Sequence, residues 1–287
     1  MKLKTFTEIA APLGVLGVKI TQNDRLAAEW YSEPDIRRNI YSATKSFTSC
    51  AVGFAVQEGL LSLEEKLTEA FSADLPETIC ENLKKATVRD LLTMSLGEEQ
   101  PQLMGEQRVI CEENDWIKMS LAFPLTHEPG THFLYSNVGP YLAGILVQRR
   151  AGCDLASYLT PRLFSHLGIR KPTWETDPLG YSFGAGGLFL SLSELHKFGL
   201  FYLNKGKWNG RQLLSSAWID ESTRQQSTGP YGYLFWRGKY NSYRADGKYC
   251  QYSIVFPDKN AVISMLSECR DSDTLMTAIY EELFPQL

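Results

Sequence analysis

The sequence predicts a mixed α/β (α+β) fold: an antiparallel sheet flanked by helices, with an all-helical lobe inserted between its strands. Three observations carry that expectation. Strand-like runs lie near both ends of the chain, the middle breaks into short helical stretches separated by proline and glycine, and an uninterrupted helical pattern begins at Ser42. At 287 residues, one large fold with an insertion competes with two separate domains. The expected boundaries are 1-62 and 180-287 for the sheet subdomain and 63-179 for the helical subdomain.

The elements follow in order. Val15 to Ile20, a turn at Asn23-Asp24, and Leu26 to Tyr31 read as paired strands. Phe47, Cys50, Ala51 and Phe54 recur at the spacing of one buried helix face, and Gly59 stands where a C-terminal cap belongs. Ser62-Leu63-Glu64-Glu65 is a capping-box pattern, and Thr87-Val88-Arg89-Asp90 is an acidic variant of it. Trp116, Met119 and Leu121 mark another helix, and Val138, Tyr141, Leu142, Ile145 and Leu146 a stronger one that ends at Gly152. Ser193 to Leu203 is helical, Asn209-Gly210 is a tight turn, and Ser215 or Ser216 caps a helix through Trp218 and Ile219. Tyr231 to Trp236, Tyr252 to Phe256 and Ala261 to Leu266 read as strands, the last two joined at Pro257-Asp258-Lys259-Asn260. Thr274 to Leu283 closes the chain as an amphipathic helix. A sheet assembled from both ends of the chain is implied.

Composition narrows the function. With 44% hydrophobic and 22% charged residues the chain is of ordinary globular type, which disfavours disorder and membrane spanning. The net charge of −4, with no Lys/Arg block, makes nucleic acid a poor partner. After the opening Met1-Lys2-Leu3-Lys4-Thr5-Phe6-Thr7, Glu8 followed by the short Ile9-Ala10-Ala11-Pro12-Leu13 run is a poor signal-peptide core, so a cytoplasmic location is expected. Six scattered cysteines without a C-x-x-C pair read mostly as buried thiols in a reducing compartment. Four histidines without an H-E-x-x-H pattern offer no zinc site, and His127 and His132 read as loop residues. No metal or organic cofactor is expected.

The chemistry is concentrated in Ser42-Ala43-Thr44-Lys45. Residues i and i+3 of a helix have Cβ atoms about 5–6 Å apart, so the lysine amine reaches the serine hydroxyl. That amine can take the serine proton only if burial lowers its reference pKa of about 10.4, so the pair demands an enclosed pocket. On its own the pattern also fits a serine N-cap followed by a solvated lysine. Tyr135-Ser136-Asn137, ahead of the Val138 helix, supplies a phenol and a carboxamide that such a hydrolase still needs. Gly184-Ala185-Gly186-Gly187 reads as a turn against the cleft rather than a phosphate loop, since no lysine-serine or lysine-threonine pair follows it. Of the aromatic group Tyr231, Tyr233, Phe235, Trp236, Tyr240 and Tyr243, one or two are expected to face the cleft.

With these motifs in this order the chain resembles the serine β-lactamase and penicillin-binding-protein superfamily, in the branch of class C β-lactamases, family VIII carboxylesterases and nylon-oligomer hydrolases. Thr87 to Gly97 is similar to the family's R-x-L-L-T-H-T-S-G segment, with Met94 at the histidine position. Glu128-Pro129-Gly130 resembles the approach to the tyrosine, and Gly186-Gly187-Leu188 the later glycine turn. The resemblance implies a β-lactamase/DD-peptidase-like fold with the active site between sheet and helical lobe. It implies Ser42 as acylated nucleophile, Lys45 and Tyr135 sharing proton transfer, and Asn137 binding the substrate amide and steadying Lys45. Ala245-Asp246-Gly247 matches the family's third motif best, with the Lys248 and Ser42 N–H groups forming the oxyanion hole. Substrate-binding positions are thus Asn137, Ala245, Gly247 and Lys248.

Ala245 replaces the cationic residue of that motif, from which we expect esters to be preferred over penicillins; Asp246 reads as a solvated strand-end carboxylate. The expected function is a serine hydrolase acting through an acyl-enzyme on a small-molecule ester, amide or peptide-like substrate. A penicillin-binding protein or β-lactamase, and a catalytically weak binding or scaffold module, stand as alternatives. Oligomeric state is not legible in the sequence.

Overall fold

A computed structural model describes residues 1–287. A short helix, Lys4–Ala10 (α1), precedes strands Val15–Gln22 (β1) and Arg25–Tyr31 (β2). The two-residue strand Arg38–Asn39 (β3) leads into a 3-10 turn at Tyr41–Ala43, from which helix Thr44–Gln57 (α2) continues. The helical stretch comprises Leu67–Ala70 (α3), Glu81–Lys85 (α4), Val88–Leu92 (α5), Gly105–Val109 (α6), Trp116–Ala122 (α7), Val138–Ala151 (α8) and Leu155–Leu159 (α9). Strand Phe189–Leu190 (β4) pairs with β3 and leads into Leu192–Leu203 (α10). Lys207–Trp208 (β5) and Arg211–Gln212 (β6) form a hairpin before Ser216–Thr223 (α11). Strands Trp236–Arg237 (β7), Tyr243–Gly247 (β8), Gln251–Phe256 (β9) and Ala261–Ser267 (β10) precede helix Ser272–Ala278 (α12), which continues as a π-helix over Ile279–Leu283 and a 3-10 turn over Phe284–Gln286.

The main sheet runs β2-β1-β10-β9-β8-β7 and every pairing in it is antiparallel. Both ends of the chain therefore build it, as the strand pattern predicts. Its central strands are buried on both faces, and alternation sorts their side chains. Tyr252, Ile254, Phe256, Ile263 and Met265 pack against Phe6 and Ala10 of α1 and Leu275 and Ala278 of α12. Val255, Val262 and Leu266 join the larger core of α2, α8 and α10 on the opposite face. Terminal helices, sheet and inner helices make three layers.

Helix α2 is buried from Thr44 to Ala55 on every side, because α8 and α10 flank it and Phe47 stacks on Phe198 at 3.8 Å. Gly59 follows it at φ +72°, as the cap reading requires. The Thr87/Asp90 capping box forms at α5, Gly152 ends α8 in the left-handed conformation, and Ser215 accepts from the Trp218 N–H. Three expectations need correcting. Ser62 to Glu65 is a turn, its serine accepting from Glu64 N–H, and no helix starts before Leu67. Of Tyr231 to Trp236 only Trp236 enters a strand, because the preceding residues turn back so that Tyr233 N–H meets Ser222 O and Leu234 N–H meets Leu92 O. Helix α1 lies in a stretch with no helix prediction; its Phe6 and Ala10 are buried against the sheet.

Candidate active site

A cleft of about 860 Å³ opens between the sheet edge and the helical stretch, with Ser42, Tyr135 and Asn137 in its walls. Ser42 lies in the 3-10 turn before α2, one residue after Tyr41, whose φ of +48° is uncommon for a bulky side chain. Tyr41 is held there by Asn39, whose side-chain oxygen accepts from the Tyr41 N–H at 2.7 Å, and by edge contact with Tyr249.

One turn on, Lys45 is 1% exposed, and its Nζ donates to Ser42 Oγ at 2.9 Å and to Ala185 O at 2.8 Å. Burial pushes the amine well below the ordinary lysine value; the Arg108 charge pushes the same way, and Asp246 opposes both. The carbonyl that receives Lys45 belongs to the glycine turn. Thr48 Oγ1 donates to Gly184 O, and Leu188 N–H donates to Thr44 Oγ1, which fastens the turn along α2. A Cβ at Gly184 would stand 2.4 Å from Pro140 O, so only glycine lets the turn lie between α2 and α8.

Tyr135 approaches from the opposite wall, its ring centroid 5.0 Å from Lys45 Nζ. Trp236 stacks on it at 5.4 Å and Tyr231 meets it edge-on. Burial raises the phenol pKa strongly, with the Ser42 hydroxyl pulling it down and Asp246 adding to the rise. The next residue anchors this loop. Ser136 Oγ donates to the buried Glu98 carboxylate at 2.7 Å and accepts from Gln102 N–H at 3.2 Å. Asn137 donates from Nδ2 to Leu103 O at 2.8 Å, while its buried Oδ1 has no partner. Its amide therefore makes no bond to Lys45, contrary to the expectation that it steadies the amine. The free oxygen is available to a substrate N–H.

Strand β8 closes the third side. A Cβ on Gly247 would fall 2.2 Å from Ile40 O, so glycine lets the strand end lie directly on the Ser42 turn. Arg244, Asp246 and Lys248 line the cleft, whereas Ala245 is 1% exposed and packs with Tyr243 into the core. This overturns the expectation that Ala245 meets substrate. Alternation does send Ala245 and Lys248 to opposite faces, but the cleft receives the face of Lys248. Asp246 is also misread as solvated: it accepts from Arg244 Nε at 2.7 Å, and burial raises its pKa against the pull of Arg244 and Lys45. Strand β7 pairs outside this strand, though only along Tyr243 and Arg244.

The beta-lactamase family model matches residues 14–283. The chain belongs to the beta-lactamase family. Among solved structures, this beta-lactamase-family chain is similar over its whole length to a Bacillus anthracis protein provisionally described as a 6-aminohexanoate-dimer hydrolase (20% identity, TM-score 0.83, 81% of that chain). It is similar over 97% of its length to a penicillin binding protein from Bacillus halodurans (17% identity, TM-score 0.76, 99% of that chain). By sequence it is 22% identical over 216 residues to the 6-aminohexanoate-dimer hydrolase of Paenarthrobacter ureafaciens, covering 70% of this chain and 55% of the relative. The chain spans between 32% and 55% of the length of the first curated relatives it matches. No helix of this family member is long and apolar enough to cross a membrane.

The sequence reading had no place for Arg108, Glu175 or Glu98. Arg108 and Glu175 stand outside the motifs, in stretches with no periodic pattern, and nothing local marks them as cleft residues. Trp236 is the member of the aromatic group that lines the cleft. All six cysteines are free; Cys50, Cys250 and Cys269 are buried and Cys80 is exposed.

Proposed function

We propose that the protein is a serine hydrolase that cleaves a small ester or amide through an acyl-enzyme on Ser42. The observation that carries the reading is the Lys45 amine, enclosed, hydrogen-bonded to Ser42 Oγ at 2.9 Å and depressed in pKa by burial. A neutral amine in that position accepts the Ser42 proton as Oγ attacks the carbonyl carbon. The N–H groups of Ser42 and Lys248 receive the developing oxyanion, in keeping with the close seating of β8 on the Ser42 turn. As the C–O or C–N bond breaks, the leaving group takes a proton from Tyr135, which recovers one from Lys45. Water then repeats the sequence on the acyl ester, releasing the acid and restoring Ser42. Asn137 Oδ1, buried and unpartnered, accepts from the substrate.

Fluorophosphonate labelling followed by peptide mass spectrometry tests the assignment. The Ser42 peptide is expected to carry the adduct, and a folded Ser42→Ala variant is expected to lose it. Undiminished labelling of that variant would remove Ser42 as nucleophile.

A further inference from the structure

The lining of the cleft carries three cationic side chains that the reaction just described does not use, Arg108, Arg244 and Lys248, and Arg108 differs from the other two. Arg108 projects from α6 into the cleft, its guanidinium 4.2 Å above the Phe183 ring centroid. Its Nε is buried with no hydrogen-bond partner, and the side chain forms no ion pair. That state is costly. A guanidinium carries its donors in a planar fork, and the buried Nε–H of Arg108 lacks the acceptor it would have in water, while the rest of the half-buried fork lines the cleft. Burial accordingly disfavours its charged form.

The other charges of the cleft are already engaged or solvated. Arg244 and Asp246 form an ion pair through Nε at 2.7 Å, and Lys248 is exposed to water. Glu175, the acid whose charge Arg108 feels, accepts from Asn39 at 3.1 Å. Arg108 is left as a preorganised fork facing the space that a substrate must enter. The guanidinium lies against Phe183, which is itself held against Trp116 and Tyr141.

We propose that the substrate carries a carboxylate and that Arg108 receives it. The proposal rests on the serine hydrolase reading and names the substrate class of that same site. It also replaces the expectation drawn from Ala245, since the cation that meets substrate comes from the helical stretch and not from β8. Pairing the guanidinium with a bidentate carboxylate supplies the missing acceptors and favours substrates that bring one.

The test compares matched esters on one preparation. In the acyl arm, mono-4-nitrophenyl adipate is set against 4-nitrophenyl hexanoate; in the leaving-group arm, 4-carboxyphenyl hexanoate is set against 4-carbamoylphenyl hexanoate. The carboxylate member of at least one pair is expected to show a kcat/KM about ten- to a hundredfold higher, after subtraction of spontaneous hydrolysis. Which arm shows it tells where the carboxylate sits relative to the scissile bond. Arg108→Gln is expected to collapse that ratio, Arg108→Lys to keep part of it, and Lys248→Gln to retain it. Fluorophosphonate labelling of Ser42 in each variant checks folding and the hydrolase reading separately.

Labelled Ser42 with no carboxylate preference in either arm overturns the Arg108 assignment and leaves the hydrolase standing. A preference that survives Arg108→Gln, or that vanishes in Lys248→Gln instead, also overturns it. Absence of both labelling and ester turnover sinks the hydrolase reading and this inference with it.

Discussion

Lys45 carries the largest electrostatic burden in the cleft. Its amine is surrounded by the Ser42 hydroxyl, the Ala185 carbonyl, the Tyr135 ring, and the charges of Arg108 and Asp246. As a base it works only when neutral, so the acid limb of a kcat/KM profile reports its deprotonation. Removing a positive neighbour raises an amine pKa, and removing a negative one lowers it. Arg108→Gln is therefore expected to move the acid limb to higher pH and Asp246→Asn to lower pH, measured on a neutral ester. Movement of both in one direction would show that the limb belongs to another group. Lys45→Ala and Tyr135→Phe should each lower kcat/KM by about 10²-fold or more. The double variant should lose less than the product of the two, because both act on one proton route. A near-wild-type Tyr135→Phe would reduce that phenol to packing against Trp236.

At the scale of elements, the loop Tyr135–Asn137 is positioned by a carboxyl with no charge partner. Glu98 is 4% exposed, and its hydrogen bond comes from the neutral Ser136 hydroxyl. Burial lifts its pKa from 4.5 to about 7. The folded protein thus holds more protons than the unfolded chain between those values, and stability falls as pH rises through that window. The difference corresponds to about 3 kcal/mol, lost in full above the folded value. Glu98→Gln keeps an acceptor for Ser136 and cannot ionise. Urea titrations at pH 8 should show it more stable than wild type by about 2–3 kcal/mol, with the two nearly equal at pH 4. An equal gain at both pH values would mean the glutamate is not buried as an acid.

At the scale of the whole molecule, one core links the sheet to the helical stretch. The larger core runs without a break from Leu91 of α5 and Leu142 of α8 to Val255 and Val262 of the sheet, and a smaller one lies under α1 and α12. We propose that the stretches 1-62 with 180-287 and 63-179 unfold together, because neither half of the larger core closes alone. Phe6→Ala tests this from the side away from the cleft. Phe6 is 1% exposed, and its truncation should cost about 3–5 kcal/mol. Tryptophan fluorescence and far-ultraviolet circular dichroism should fall together in one shifted transition while KM for the ester holds. Two separated transitions would return the molecule to two independent domains.

What the sequence by itself determined was whatever short spacing encodes. Ser42 and Lys45 are neighbours because three residues make most of a helical turn, and the capping box at Thr87 and the end of α8 at Gly152 are equally local. The strands of both chain ends were legible from alternation, and the order of motifs along the chain was enough to identify the family. Tertiary structure decided the rest, because it depends on which surfaces meet. Alternation puts Ala245 and Lys248 on opposite faces, but which face meets the cleft is decided only when β8 is laid on the Ser42 turn and the Ala245 face is committed to the core. Asp246 reads as solvated until Arg244 and the cleft wall enclose it. Arg108 and Glu98 carry no local signal; each acquires its role from a motif distant in the chain, Arg108 by facing the cleft where its charge acts on Lys45 and Glu98 by being buried beside Ser136. Local periodicity fixes neighbours within a turn or a strand, whereas burial of a charge is a property of the packed whole.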